Sequence, residues 1–142
     1  MRIDRFQEKD MDELTQDFRE VFVGNEYLPF VSPEAFTFRS MGEVISIVGI
    51  TQFHKGVYIA WAFQAHGLTY VGKAYAKAVR YLIAQLIEKY KMRKMVVMIA
   101  DNEPADKRWM RFLGFKQEAA LPDMCNDGSP LLWYVREGVC NG

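Results

Sequence analysis

Residues 57–118 read VYIAWAFQAHGLTYVGKAYAKAVRYLIAQLIEKYKMRKMVVMIADNEPADKRWMRFLGFKQE, and the fold follows from where this stretch changes its period. Val57 to Phe63 is apolar on both alternating faces, which places it as a strand in the middle of a sheet. From Gly72 the pattern turns helical for about twenty residues. Lys73, Lys77, Arg80, Glu88 and Lys91 fall on one narrow polar stripe, with Ala74, Ala78, Leu82, Leu86 and Tyr90 elsewhere around the cylinder. A helix with so wide an apolar surface packs against a sheet. Met95 to Ala100 is a second buried strand by length and content. Asp101 or Asn102 then caps a short helix with Pro104 in its first turn and Gly114 at its end.

The flanks extend the same architecture. Upstream, Phe36 and Phe38 alternate with Thr37 and Arg39, Met41-Gly42-Glu43 makes a turn, and Val44 to Thr51 is β-branched. A second turn at His54-Lys55-Gly56 leads into the strand from Val57, so three consecutive antiparallel strands are expected. Arg2 to Phe6 reads as a short strand. Asp10 reads as the N-cap of an amphipathic helix in which Leu14, Phe18, Val21 and Phe22 recur at helical spacing and which Gly24 and Asn25 end. Residues 25–33, NEYLPFVSP, hold two prolines and form a loop. Downstream, FKQEAAL (115–121) and PLLWYVRE (130–137) are strands joined by the turn-rich PDMCNDGS (122–129). The order is β α loop βββ α β α β β. This is a mixed α/β sheet of about seven strands with three to four helices, in a single domain over 1–142.

Composition narrows the function. Eighteen Lys and Arg balance 18 Asp and Glu over 142 residues, so the overall charge that marks a dedicated nucleic-acid binder is absent. The longest apolar runs are strand length, well short of the roughly 20 residues of a membrane helix. The charged start MRIDRFQEKD argues against a signal peptide. Cys125 and Cys140 stand alone, without the spacing of a metal site, so a metal-free cytoplasmic domain with reduced thiols is expected.

Chemistry concentrates at the start of the long helix. A glycine there lets a ligand approach the backbone, and the unpaired amides at a helix N-terminus favour an anion. Lys73 and Lys77 sit where cations are electrostatically unfavourable, and a bound phosphate would offset that; otherwise both are members of the solvated stripe. Taken with the order of elements, DNEPADKRWMRFLGFKQE resembles the GNAT superfamily of acyl-CoA N-acyltransferases. Asn102 ends a strand, a short helix follows, and then come Leu113-Gly114-Phe115 and Glu118. About thirty residues upstream of that segment, Thr69-Tyr70-Val71-Gly72-Lys73-Ala74 resembles the family's pyrophosphate loop, with Thr69 where Gln or Arg is usual. The resemblance implies acetyl-CoA as co-substrate, lying between the strands Val57–Phe63 and Met95–Ala100. Its pantetheine would pair as a pseudo-strand with the first of these. Backbone amides of Trp61, Ala62 and Phe63 would meet the thioester, Val71, Gly72, Lys73 and Ala74 the pyrophosphate, and Asn102 the cofactor.

Two departures from the family pattern stand out. Val57 to Phe63 carries no acidic residue to serve as general base, and the helix before LGF has Arg108-Trp109-Met110 with no tyrosine to protonate the leaving thiolate. The substitute candidates are His66, just beyond the central strand and in the pKa range of a base at neutral pH, and Glu26 in the loop after the first helix. Each is otherwise an ordinary loop residue. Trp109 and Phe112 read as core. The resemblance implies a small-molecule or peptide amine as acceptor, and acidic residues on two loops (Glu26 and Glu34, Asp123 and Asp127) lean toward a cationic one. With neither cysteine near the expected thioester, the amine attacks acyl-CoA directly in a ternary complex. The rival expectation is a protein that has kept the fold and lost the reaction. The same segments are also similar to small GNAT-like proteins of tailed phages, which implies virion association in place of a cytoplasmic enzyme, for which a homodimer is the expected assembly.

Overall fold

The alternation around Phe36 and Phe38 closes into a hairpin whose two-residue turn, Met41-Gly42, has both φ angles positive (53° and 80°). Ser40 and Glu43 flank it as a paired couple, the geometry that matches the twist of the strands it joins. The structure is a computed structural model that describes residues 1–14, 18–20, 32, 34–65, 72–102 and 104–138. In chain order its elements are β1 (Arg2–Arg5), α1 (Glu8–Leu14), β2 (Phe18–Glu20), β3 (Glu34–Ser40), β4 (Glu43–His54), β5 (Val57–Ala65), α2 (Gly72–Lys89), β6 (Lys94–Ala100), α3 (Pro104–Phe112), β7 (Lys116–Leu121) and β8 (Leu131–Glu137). The main path of the sheet runs β1-β3-β4-β5-β6-β8-β7, and β2 joins it through β5. All pairings are antiparallel except β5 with β6.

Each face of this sheet is buried by a different helix. On one side α2 lays Tyr75, Val79, Leu82, Ile83, Leu86 and Ile87 into the core. The Tyr75 ring meets Phe38 edge-on at 5.3 Å, and Tyr90 meets Tyr58 at 5.2 Å. On the other side α1 is anchored by one carboxylate. Asp10 is 1% exposed, and it accepts from Thr37 Oγ1 at 2.8 Å and from Arg39 Nη2 at 2.6 Å. It also accepts the Gln7 N–H at 2.9 Å, so it sits inside the first turn and reaches back to the cap residue.

Asp10 is therefore not the N-cap expected from sequence, and the helix it opens is shorter than expected. α1 stops at Leu14, and Phe18–Glu20 is a strand. Phe18 does recur at helical spacing, but β5 presents unpaired main-chain groups to residues 18–20, and pairing them outweighs a weak local helical pattern. The expected path of seven strands is present, with β2 as an eighth. Three helices lie among the described residues.

Both long connections end in a left-handed cap. After α3, Phe115 N–H donates to Met110 O and Gly114 N–H to Arg111 O, with Gly114 at φ 89°. After α2 the same double bond pattern links Met92 to Ile87 and Lys91 to Glu88, but Lys91 occupies the left-handed position at φ 48°. A side chain there carries a steric cost that glycine avoids. Lys91→Gly is therefore expected to stabilise the fold by about 0.5–1 kcal/mol, net of glycine's larger unfolded-state entropy. Urea denaturation followed by circular dichroism reads the difference; a destabilised variant contradicts this account of the cap.

Candidate functional site

A parallel pair of strands that separates is the feature from which the site is built. β5 and β6 are in register only over Val57↔Lys94, Tyr58↔Met95 and Ile59↔Val96. Beyond Ile59, β5 keeps β4 on one side, while β6 continues paired with β8 up to Ala100. The carboxyl ends of the two strands thus diverge, and a crevice outside diverging parallel strands is where open α/β sheets place ligands. Among the described residues, Ala60, Trp61 and Ala62 have no strand partner on the crevice side, whereas Phe63, Gln64 and Ala65 pair with Glu20, Arg19 and Phe18.

The first turn of α2 is fixed over the wide end of this crevice. Gln64 Nε2 donates to the Tyr75 hydroxyl at 2.8 Å, and both side chains are buried. Burial pushes the Tyr75 phenol up to about 12, against the opposing pull of the Ser46 side chain and of the hydrogen bond from Gln64. At neutral pH Tyr75 is therefore an uncharged hydroxyl and not a base. Its ring stacks on Trp109 of α3 at 5.7 Å, Trp109 stacks on Phe112 at 6.1 Å, and Arg80 lies over the Phe112 ring at 5.3 Å. A cavity of about 30 Å³ under α2 is lined by Ala60, Ala62, Gln64, Tyr75, Val79 and Trp109 among others. Trp109 therefore lies against this cavity as well as the core.

The residues singled out from sequence separate into three groups. Gly72 begins α2 in half-open surroundings: a Cβ built on it meets nothing within 4 Å. Lys73 and Ala74 are exposed beside it, and the first turn holds no acidic residue. A helix of 18 residues with a free approach at its N-terminus and lysines on its flank fits an anion. Trp61, Ala62 and Phe63 form a second group, in which the side chains belong to the fold. Trp61 is buried with Nε1 donating to Ser32 Oγ at 2.9 Å, and its ring lies 5.9 Å from Phe63. What Trp61 and Ala62 offer a ligand is main chain, whereas Phe63, expected to do the same, is paired with Glu20 of β2. His66, Glu26 and Val71 make up the third group and lie outside the described residues.

Other expectations are corrected. Asn102 does not cap α3, whose first residue is Pro104: its side-chain amide donates to Asp127 Oδ2 at 3.1 Å. Asp101 instead meets Lys107 Nζ at 2.6 Å. Glu34 is not a loop acid that could attract a cation. It opens β3, is 5% exposed, and accepts from Lys89 Nζ at 2.9 Å and from the Tyr90 hydroxyl. Burial opposes its ionisation, but the bonds from Tyr90 and Lys89 prevail and hold its carboxyl below the usual value. Asp127 accepts from the Ser129 hydroxyl and amide and from Asn102, which lowers its pKa to about 2 and commits it to its own loop. Sequence reasoning missed Gln64 and Tyr75 as the polar pair that seats α2. A glutamine at the end of an apolar strand and a tyrosine in the next helix's first turn were the available signal.

Among the described residues no cluster of His, Cys, Asp or Glu could hold a metal ion, and no helix is long and apolar enough to cross a membrane. No family model matches the chain and no curated protein matches it. Solved structures do. Ard1 from Thermoplasma volcanium superposes with a TM-score of 0.77 at 15% identity, over 97% of this chain and 97% of its own. A spermidine N-acetyltransferase from Vibrio cholerae gives 0.74 at 10% identity, over 96% and 95%. The ribosomal-protein-S18-alanine N-acetyltransferase from Escherichia coli gives 0.74 at 13% identity, over 99% and 96%. The mixed sheet, its fork and its three described helices are the GNAT acetyltransferase fold.

Proposed function

We propose that this chain is an acyl-CoA-dependent N-acyltransferase that moves an acetyl group from acetyl-CoA to a primary amine. The observation that carries the reading is the fork between β5 and β6, with an acid-free, lysine-flanked helix N-terminus at its wide end. A pyrophosphate at Gly72, Lys73 and Ala74, with Val71 completing the loop, would gain the amide partial charges of α2. The amides of Ala60–Ala62 would receive the pantetheine and polarise the thioester carbonyl. The solved structures that share this fold include a spermidine N-acetyltransferase and a ribosomal-protein-S18-alanine N-acetyltransferase, which supports an amine acceptor of that broad kind.

In this reading the amine nitrogen attacks the thioester carbon, a C–N bond forms as the C–S bond breaks, and CoA leaves as a thiolate that is then protonated. The amine must lose a proton. The buried polar pair at the fork cannot take it, since the Gln64 amide is not a base and Tyr75 is held protonated. His66 is the nearest basic group in sequence to the end of β5, with Glu26 as the second candidate and water as the relay. Cys125 lies in the turn beyond β7, where its Sγ donates to Pro130 O at 3.6 Å, and no acyl-cysteine step is invoked. A cytoplasmic monomer or homodimer suits this chemistry.

One observation favours a second reading, a chain that keeps the fold without the reaction and serves a structural or virion-associated role. Three main-chain positions of β5 inside the fork are already paired with β2. Acetyl-CoA with a panel of polyamines, aminoglycosides and peptide N-termini separates the two, scored by thiol release and by a mass gain of one acetyl group on the amine. Turnover with one of these classes is expected. His66→Ala should then slow it about 10²-fold, the usual weight of a general base, while Cys125→Ser and Cys140→Ser leave it intact. Tight CoA binding with a blank panel would favour the second reading.

A further inference from the structure

β2 stands where the donor substrate would have to lie. This argument rests on the acyl-CoA reading above. Gln64 and Tyr75 tie the first turn of α2 to the end of β5. An arm reaching from a pyrophosphate at Gly72 to a thioester beside Trp61 must therefore run back along β5, past Ala65, Gln64 and Phe63. These are the residues in register with Phe18, Arg19 and Glu20. A strand edge offers each N–H and C=O to one neighbour on that side, so β2 and the arm cannot both hold it. β6 does not compete, because its pairing with β5 ends at Ile59 and Val96. The stretch left open, Ala60–Ala62, receives the thioester end of the arm, and the remainder meets the edge that β2 holds.

We propose that β2 is a resident competitor strand: acyl-CoA binds by displacing Phe18–Glu20 from the edge of β5. The exchange is chemically balanced in kind. Pantetheine is a short chain with two secondary amides, and it can replace ladder bonds that a three-residue strand gives up. It also has a thermodynamic signature. Only the fraction of molecules with β2 released can bind, so the observed affinity is the intrinsic one reduced by that fraction. Weakening β2 therefore tightens binding without adding a contact to the ligand.

The test uses CoA itself on the full chain. Alternate residues of an antiparallel strand donate to the ladder, so of Arg19→Pro and Glu20→Pro at least one removes a donor. Calorimetry should show at least one variant binding CoA about tenfold tighter than wild type. Hydrogen exchange on the wild type gives a readout that needs no variant. On saturation with CoA, the amides of residues 18–20 should lose protection while those of 63–65 keep it. Unchanged protection at 18–20 with CoA bound, or affinity equal to or below wild type in both proline variants, overturns the proposal and leaves the acyl-CoA reading in place. Absence of CoA binding by wild type and both variants overturns the two together.

Discussion

Gly72→Glu is expected to lower the affinity for CoA by about 100-fold or more while leaving the fold at least as stable as wild type. The two effects have opposite signs for one reason. A carboxylate at the first position of α2 interacts favourably with the amide partial charges there, and glutamate is a better helix former than glycine. Among the described residues, nothing lies within 4 Å of a Cβ built on Gly72, so the longer side chain meets none of them there. The same carboxylate would stand against a pyrophosphate, and like charges placed together at an interface cost several kcal/mol. Calorimetry with CoA and a thermal melt of the same sample read both signs. Wild-type affinity in Gly72→Glu would remove the helix N-terminus from the site.

Gly49→Ala is expected to cost about 3 kcal/mol, at the upper end of what overpacking a rigid core costs. A Cβ on Gly49 would collide with Trp61 Cζ2 and lie 2.7 Å from Cε2 and 2.8 Å from the Glu34 carbonyl oxygen. None of these can retreat easily. Trp61 is buried and held by its bond to Ser32, and Glu34 O belongs to the paired strand β3. Trp61→Phe removes the two colliding ring atoms, so Gly49→Ala should cost less in that background than in wild type. A double-mutant cycle in urea gives the coupling directly. A Gly49→Ala protein within 0.5 kcal/mol of wild type would mean that the indole does not lie over Gly49. Because Gly49 and Trp61 are opposite one another in the β4–β5 register, this pair also positions the main chain of β5 where the fork opens.

The parts of the fold that were legible in the sequence are those whose period is carried by buried side chains. Phe38, Ile47, Ile50 and Trp61 mark the antiparallel run, and the stripe of Lys73, Lys77 and Arg80 marks the outer face of α2. Gly114 announced the end of α3 because only the left-handed position there calls for it. Legibility failed where a nonlocal partner decides. Leu14 and Phe18 keep helical spacing, yet the free edge of β5, forty-seven residues away in sequence at Ala65, takes Phe18 into a strand. Glu34 follows a proline and looks like a loop acid, but Lys89 and Tyr90 at the far end of α2 make it a buried anchor. Asn102 has the chemistry of a cap, but α3 begins at Pro104, one residue too far on for Asn102 to be its N-cap. The candidate site was legible as a glycine beside lysines. The reason it stands at a fork, the early end of β5–β6 pairing, is a property of two strands together.

The central claim is that one donor substrate spans the fork and the helix N-terminus together. Titrating acetyl-CoA into isotopically labelled protein, with the backbone amides read by NMR, tests it most directly. The account predicts that the amides of Gly72, Lys73 and Ala74 and those of Ala60, Trp61 and Ala62 shift along a single saturation curve. Amides that stay in place at millimolar acetyl-CoA, or that move only at sites away from β5 and α2, would contradict it.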